Sequence, residues 1–302
     1  MSKLLRGLTR DGSAQILVLN SKEIVLKAQE YHHTAPTSSA ALGRLLTATS
    51  LMGCTLKEKG NSLSVSFKGD GEGGNLVAVS DYMGNVRGCM SNPDADPERY
   101  KNGKLNVAKV VGKGQITVIK DVGEKIPYNG ITEIKTGEIA EDIAGYYAES
   151  EQIPTLCALG VLIDTDGKCK AAGGVMVQLL PFAAEETIAR LEENASKLNN
   201  LSALFDKGLS NEEIANIALE GIEYDIFDEY DVGYVCTCSE ERHAFGLLSL
   251  NPYELWNMLI NDKKIETVCQ FCGTKYTFDG DKIEKYRKIK EALAKKAEEE
   301  NK

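Results

Sequence analysis

Four of the eight cysteines in this 302-residue chain form two close pairs near its C-terminal end. One residue separates Cys236 from Cys238, and two residues separate Cys269 from Cys272. Thiolate sulfur is a strong zinc ligand, and four thiolates complete a tetrahedral shell with Zn–S distances of about 2.3 Å. Each pair can hold one edge of that tetrahedron. The spacing therefore predicts a site for one zinc ion with Cys236, Cys238, Cys269 and Cys272 as its ligands.

The residues around the second pair predict a small supporting module. Gly273 follows Cys272, as a tight turn behind a chelating loop requires, and residues 276–278 resemble a short strand. Between the two pairs, residues 253–260 are predicted to supply a small core through Leu255, Trp256 and Leu259. We expect the zinc-binding domain to span residues 232–302.

The remaining cysteines, and the histidine nearest the pairs, have a more ordinary interpretation. His243 is a possible alternative ligand, but four thiolates already fill a tetrahedral shell. The other cysteines are scattered singly, and free cysteine is among the most buried residue types. We expect most of these four to be buried structural thiols: Cys54, Cys89, Cys157 and Cys169.

The four-cysteine site has two competing interpretations, a permanent structural zinc and a zinc-poised redox sensor. Zinc keeps cysteine as thiolate, which is the form that reacts with oxidants. Each pair is close enough in sequence to form a disulfide, and one disulfide would remove two ligands at once. A C-x-C disulfide would close a very small ring, and strained disulfides are easily reduced again. The spacing is therefore compatible with a reversible switch.

Composition excludes several classes of protein. The net charge of −10 argues against a general nucleic-acid binder, which usually carries a basic footprint. No apolar run approaches the roughly 20 residues that span a bilayer, and the first 15 residues lack the apolar region of a secretory signal. We therefore expect a cytoplasmic protein without a membrane or nucleic-acid partner. Thiols stay reduced in that compartment, so eight cysteines do not indicate a disulfide framework.

The negative charge is concentrated in one segment. Residues 182–235 contain 13 acidic and 3 basic side chains, whereas the rest of the chain has 32 of each. This segment also carries apolar residues at helical spacing, and Ser210 with Glu213 forms a capping box. We predict an acidic amphipathic helical linker at residues 181–231. Short helices depend on packing for their stability, so the linker should keep its shape only while it is docked.

The N-terminal region, residues 1–180, is predicted to be an α/β core domain rich in β-hairpins. Residues 69–74 match G-x-G-x-x-G, but a strand follows them where a dinucleotide site needs a helix, so a hairpin turn is the better interpretation. No nucleophile is grouped with a base and an orienting acid. The predicted fold class is therefore α+β: this core domain, the helical linker and the small four-cysteine domain.

Four stretches resemble the redox-regulated 33 kDa heat-shock chaperonin family. Residues 236–242 read CTCSEER and residues 268–278 read VCQFCGTKYTF, and a C-x-C pair is rare among zinc modules. Residues 159–163 (LGVLI) and 172–181 (AGGVMVQLLP) also resemble that family. The likeness covers most of the chain and has the same order of core, linker and zinc module.

The resemblance implies a non-enzymatic, ATP-independent holdase that is inactive while reduced and zinc-bound. Oxidation would form the disulfides Cys236–Cys238 and Cys269–Cys272, release zinc, unfold the linker and expose apolar surface to unfolding client proteins. Activated members of the family form homodimers. The apolar face of the linker is our candidate client-binding surface: Ile188, Leu191, Leu198, Leu201, Ile214 and Ile217.

Two alternatives remain open at this stage. The first is a non-redox zinc-ribbon adaptor that binds a fixed protein partner and keeps its zinc under mild oxidation. The second is an enzyme in the N-terminal domain with a structural zinc tail, which would need a polar pocket with convergent acid and base groups. The sequence indicates no such pocket.

Overall fold

The computed structural model describes residues 1–300, with side chains to residue 296. The chain forms two compact units, Met1–Val235 and Cys236–Lys302. In chain order, the elements of the first unit are β1 (Ser2–Thr9), β2 (Ala14–Asn20), α1 (Lys22–His32), α2 (Pro36–Gly53), β3 (Ser62–Gly69), β4 (Asn75–Asp81), β5 (Val86–Met90), α3 (Val107–Val111), β6 (Gly114–Asp121), β7 (Tyr128–Ile134), α4 (Ala140–Tyr146), β8 (Thr155–Ile163), β9 (Cys169–Leu179), α5 (Glu185–Ala195), α6 (Leu201–Asp206), α7 (Asn211–Ala218) and β10 (Tyr224–Val232). Those of the second unit are α8 (Glu240–Leu247), α9 (Pro252–Asp262), β11 (Ile265–Val268), β12 (Lys275–Phe278) and α10 (Gly280–Glu300).

A five-stranded antiparallel sheet in the order β10-β1-β2-β9-β8 separates two apolar cores of the first unit. Successive side chains of a strand point to opposite faces of its sheet. In β2, Leu17 and Leu19 therefore join the core that contains α2, whereas Ile16 and Val18 join the core beneath α5, α6 and α7. The continuous apolar run of β2 reflects a strand that is covered on both faces.

A second antiparallel sheet, in the order β5-β4-β3-β6-β7, packs with α2. Residues 69–74 form the turn of the β3–β4 hairpin, in which Lys68 pairs with Asn75. The hairpin interpretation of this glycine-rich stretch is confirmed. Helix α2 contacts strands of both sheets, and nearly all of its side chains are buried. Small side chains dominate it, which lets both sheets approach the helix closely.

The acidic segment is part of the first unit. Ser210 Oγ accepts a hydrogen bond from Glu213 N at 3.2 Å, and Glu213 Oε2 accepts one from Ser210 N at 2.8 Å, which confirms the predicted capping box. Helices α5 to α7 cover the first sheet, but the segment is not helical throughout, because residues 224–232 form strand β10 at the sheet edge. The compact unit ends at Val235, whereas we predicted domain boundaries after residues 180 and 231.

The α+β organisation predicted from the sequence is confirmed, but two details differ. Strands β1 and β10 were not predicted, because their pairing joins residues about 220 positions apart in the chain and leaves no local signal. Trp256 was placed in the small core of the second unit, but its side chain is 63% exposed. Leu255 is buried as predicted, and Trp256 next to it is not, since adjacent residues of a helix do not share a face.

Candidate metal centre

The four paired cysteines lie at the ends of short elements in the second unit. Cys236 and Cys238 precede α8, whose N-cap Ser239 accepts a hydrogen bond from Arg242 N at 3.2 Å. Cys269 and Cys272 occupy the turn between β11 and β12. Gly273 N donates to Cys269 O at 2.8 Å, and Gly273 has φ +71°, so a residue with a side chain would be strained there. The turn predicted behind the second pair is therefore present.

The structure brings the four sulfur atoms of these cysteines together, all within 4.8 Å of one another. Cys236 Sγ lies 3.6 Å from Cys269 Sγ, and Cys238 Sγ lies 3.5 Å from Cys272 Sγ. Four ligands at the Zn–S distance of about 2.3 Å would form a tetrahedron with edges of roughly 3.8 Å. The cluster can therefore hold a metal ion, and both its size and its all-sulfur donor set fit tetrahedral zinc.

His243 does not belong to this cluster. Its Nδ1 hydrogen-bonds to Thr267 Oγ1 at 2.9 Å, and its ring lies 4.6 Å from that of Tyr276. Within the described part of the chain, the four cysteines are the one group of three or more Cys, His, Asp or Glu side chains with ligand atoms this close together. The histidine instead packs against β12 beside the site.

Two hydroxyl groups lie within hydrogen-bond distance of the cluster, and these contacts change pKa values at the site. The Tyr276 hydroxyl lies 3.2 Å from Cys238 Sγ, and this contact raises the pKa of Tyr276 to about 12. Burial acts to raise the pKa of Cys272, but hydrogen bonds from Thr274 and the neighbouring cysteines lower it to about 7. Burial raises the pKa values of Cys236 and Cys269. From the sequence, Tyr276 was predicted only to lie in a short strand. Its contact with the cluster is seen only in the folded structure.

The apolar core that supports the cluster is small. Its buried members come from α8, α9, α10 and both strands of the second unit: Ala244, Leu247, Leu255, Ile265, Phe278 and Ile283. By contrast, several apolar side chains of α9 are largely exposed, including Tyr253 and Ile260. A unit with so little buried apolar surface usually needs an added cross-link, such as a structural metal, for stability.

The predicted client-binding residues lie in the core between the first sheet and its covering helices. Leu191, Leu198, Leu201 and Ile214 are at most 7% exposed and form part of that core, and Ile217 packs at its margin. Ile188 is half-buried and lines a small surface pocket with Leu156 and Leu179. While the helices are docked, this face is occupied by the protein's own sheet.

Two of the single cysteines should resist alkylation in the folded chain. Burial raises the pKa values of Cys54 and Cys169 to about 12. Only thiolate reacts, so we expect iodoacetamide to modify these thiols at pH 8 roughly a thousandfold more slowly than an ordinary cysteine. Their protonated form stabilises the fold below the ordinary thiol pKa, and this contribution is lost as the pH rises toward 12. Mass spectrometry of timed labelling checks this.

The same labelling in denaturant is the control, because unfolding should make both thiols react at the ordinary rate. Equal rates in folded and denatured protein would contradict the assignment of Cys54 and Cys169 as buried structural thiols.

Residues 2–279 match the model of the family described as "Hsp33 protein". The chain is 44% identical to the 33 kDa chaperonin of Clostridioides difficile over 93% of this chain and 96% of the relative. It is 43% identical to the 33 kDa chaperonin of Alkaliphilus oremlandii over 94% and 95%, respectively. The crystal structure of the 33 kDa chaperonin from Thermotoga maritima superimposes with a TM-score of 0.86 at 31% identity, covering 95% of this chain and 98% of that one.

These matches bear on two predictions. The relatives are named chaperonins, a class of proteins that are not enzymes, which supports a chaperone function with client proteins and confirms the expectation of no enzymatic activity. Within the residues described, no helix is both long and apolar enough to cross a membrane. The family match over nearly the whole chain, the likeness of the solved structure and the four clustered cysteines lead to one conclusion: this chain belongs to the Hsp33 family.

Proposed function

We propose that this protein is a redox-regulated, ATP-independent holdase that binds unfolding proteins and prevents their aggregation during oxidative and heat stress. It is inactive while reduced and zinc-bound, and oxidation activates it. The observation that carries the proposal is the convergence of four cysteine sulfurs within 4.8 Å in a unit with a very small core. The fold of that unit is thereby tied to the redox state of its cysteines.

Cys236, Cys238, Cys269 and Cys272 would hold one zinc ion. Zinc, when bound, keeps these sulfurs as thiolates and cross-links the start of the unit to the β11–β12 turn. The Thr274 hydroxyl lies 3.1 Å from Cys272 Sγ, and the Tyr276 hydroxyl lies 3.2 Å from Cys238 Sγ. Both can donate a hydrogen bond to a thiolate sulfur and stabilise it. The chain thus presents thiolates that an oxidant can reach, because three of the four cysteines are only partly buried.

Oxidation by a peroxide would convert the four thiolates into two disulfides. Each disulfide forms as two thiolates give up two electrons to the peroxide, which takes up two protons and leaves as two molecules of water. We propose the pairs Cys236–Cys238 and Cys269–Cys272, as the resemblance implies. The short Sγ–Sγ distances of 3.5 and 3.6 Å each connect a cysteine of the first pair with a cysteine of the second. Which disulfides form therefore needs a direct test.

Loss of the cross-link would release the acidic segment at residues 181–231. Strand β10 ends at Val232, four residues before Cys236, so its pairing is the first to be affected when the following unit unfolds. The segment also carries a charge that opposes its own compaction. Its release would expose both the apolar face of α5 to α7, with the six candidate residues from Ile188 to Ile217, and the sheet beneath them.

Activation is further proposed to produce a homodimer in the cytoplasm that binds client proteins and neither nucleic acid nor membranes. The sheet face under α5 to α7 is apolar, and large exposed apolar surfaces promote association. A dimer would leave part of this surface covered while the rest binds clients.

Brief treatment with peroxide and mild warming should remove one equivalent of zinc and four reactive thiols per chain. Both should return on addition of reductant and zinc, and only the oxidised sample should suppress the aggregation of a denatured client. Trypsin cleaves after Arg242 and Lys264, which separates the two cysteine pairs. The proposed disulfides therefore leave two separate peptides, each lighter by two hydrogens, whereas crosswise disulfides join them.

Retention of zinc under this treatment, with no effect on client aggregation, would overturn the redox proposal and favour a permanent zinc-ribbon adaptor. Joined peptides, together with zinc loss and chaperone activity, would keep the switch and correct only its disulfide pairing.

A further inference from the structure

Strand β10 covers the edge of β1 mainly through main-chain pairing. It is the outermost strand of its sheet, and most of its side chains are exposed, including Phe227 at 65%. Only Tyr224, Tyr230 and Val232 pack against the two cores. Removal of β10 would leave the outward N–H and C=O groups of β1 unpaired, and such an edge pairs readily with another extended chain.

The charges on the two strands are complementary. Residues 223–232 carry five acidic side chains and no basic one, whereas β1 and the residue after it carry Lys3, Arg6 and Arg10. Arg6 makes two hydrogen bonds to the Asp228 carboxylate, at 2.9 and 2.6 Å. Arg10 Nε lies 3.0 Å from an Asp225 oxygen. Opposite charges stabilise cross-strand pairs, and like charges destabilise them.

These three cations find their ion-pair partners on β10 and on the residue before it. Lys3 Nζ lies 3.6 Å from Glu229 Oε2, and a second carboxylate near Arg10 belongs to Glu223. Across the described side chains, every ion-pair partner of Lys3, Arg6 and Arg10 lies within residues 223–229. Departure of β10 would therefore leave three cations without these ion-pair partners, beside an unpaired main-chain edge.

The local geometry of β1 also favours an incoming strand. The register shifts between Arg6 and Gly7, opposite Phe227, which marks a β-bulge. A Cβ built at Gly7 would lie 2.9 Å from Asp225 O, so glycine at this position allows the main chain of a neighbouring strand to approach closely. The edge thus accepts a strand without requiring particular side chains there.

We propose that the edge of β1, once β10 has left it, is a binding site for extended, acid-rich segments of client proteins, which add to the sheet as a strand. This inference rests on the release of residues 181–231 proposed above, and it names a surface and a client chemistry that the apolar face does not explain. Strand β10 occupies this site in the resting protein and shows the chemistry that the site accepts. The bound client segment would take over its main-chain pairs and its carboxylates.

A labelled peptide with the sequence of residues 223–232, blocked at both termini, tests the proposal on the full-length chain. The peroxide-activated chain should bind it, and the reduced zinc-loaded chain should not, because β10 fills the edge. A peptide in which all five acids are replaced by their amides should bind about tenfold more weakly, since several individually weak ion pairs are lost together. A peptide N-methylated at alternate residues should not bind, because it cannot form the ladder.

Matched variants separate this edge from general attraction. The variant Lys3→Gln/Arg6→Gln/Arg10→Gln should lose the preference for the acidic peptide. The variant Lys57→Gln/Lys59→Gln/Lys101→Gln removes the same charge from exposed positions elsewhere in the first unit and should keep that preference. Equal binding of the acidic and amide peptides, or undiminished binding of the N-methylated peptide, would overturn the proposal. The proposal would also be overturned if the activated protein forms dimers that exclude the peptide at every concentration.

A redox-free measurement distinguishes failure of this inference from failure of the proposed function. The variant Asp225→Asn/Asp228→Asn/Glu229→Gln weakens the attachment of β10 without touching the cysteines, so its reduced form should bind the acidic peptide more tightly than the reduced wild-type chain does. Zinc release and suppression of aggregation are followed in the same wild-type samples. Activation without peptide binding in either protein would overturn strand addition alone, whereas peptide binding by the variant without peroxide activation of the wild type would overturn only the redox switch.

Discussion

Replacing Cys269 with serine is expected to abolish stoichiometric zinc binding and to unfold residues 236–302 under reducing conditions. Cys269 is the most buried of the four clustered cysteines, at 5% exposed. A core of this size rarely contributes more than ~3–5 kcal/mol. A structural zinc contributes on the order of 10–16 kcal/mol to small modules, so we expect this unit to unfold when a bound zinc is lost. Hydrogen exchange of the unit and its zinc content measure the effect.

Cys169→Ser is the matched control, because it removes a buried thiol from the first unit and should leave zinc content and exchange in residues 236–302 unchanged. A chelator with reductant should reproduce the unfolding in the wild-type chain, and added zinc should reverse it. Full protection of residues 236–302 in zinc-free Cys269→Ser would contradict a metal-dependent fold. The proposed switch would then lose its physical basis.

Replacing Phe205 with alanine is expected to release α5, α6 and α7 from the sheet in the reduced, zinc-bound protein. Phe205 is 6% exposed and packs closely over Gly173 of β9, where an added Cβ would lie 2.1 Å from its ring. Truncation of a buried phenylalanine costs about 3–5 kcal/mol, and short helices such as these gain most of their stability from packing. Exchange protection of residues 185–219 should fall, and the variant should suppress client aggregation without an oxidant.

Phe182→Ala is the matched control, because Phe182 is fully exposed and its truncation should change neither property. Gly173→Ala offers a second route to the same release, since its Cβ would collide with the Phe205 ring and lie 2.6 Å from Leu19 O. Unchanged protection in both Phe205→Ala and Gly173→Ala would show that α6 does not hold the segment down. Loss of protection without chaperone activity would contradict the role proposed for the apolar face.

The two glycines under α6 explain how this helix can lie so close to the sheet. Gly160 and Gly173 face each other on β8 and β9. A Cβ on Gly160 would lie 2.5 Å from Ser202 N, so both positions must be glycine for α6 to rest on the strands. The helix makes this contact through one large ring and its own backbone. Such a contact is close but small, which suits a segment that we propose to separate from the sheet on oxidation.

Local patterns in the sequence were sufficient for several elements and for the clustering of the four paired cysteines. The spacing of two cysteine pairs predicted a cluster that the structure confirms, because a chelating loop and its turn are encoded within a few residues. The capping box at Ser210, the β3–β4 hairpin and strand β12 were predicted for the same reason. Trp256 was placed wrongly, since an apolar run does not reveal which residues of a helix face inward.

By itself, the sequence determined the fold class, the four candidate ligands and the acidic character of the segment before them, because each depends on residue types at short spacing. Only the tertiary structure decided that this segment ends in a strand paired with the N-terminus and that its helices cover the second face of the same sheet. Arg6 and Asp228 are 222 positions apart and meet only because the two strands pair. Such contacts depend on the closure of long loops around a shared core, and no local pattern in the chain specifies which distant strands will meet.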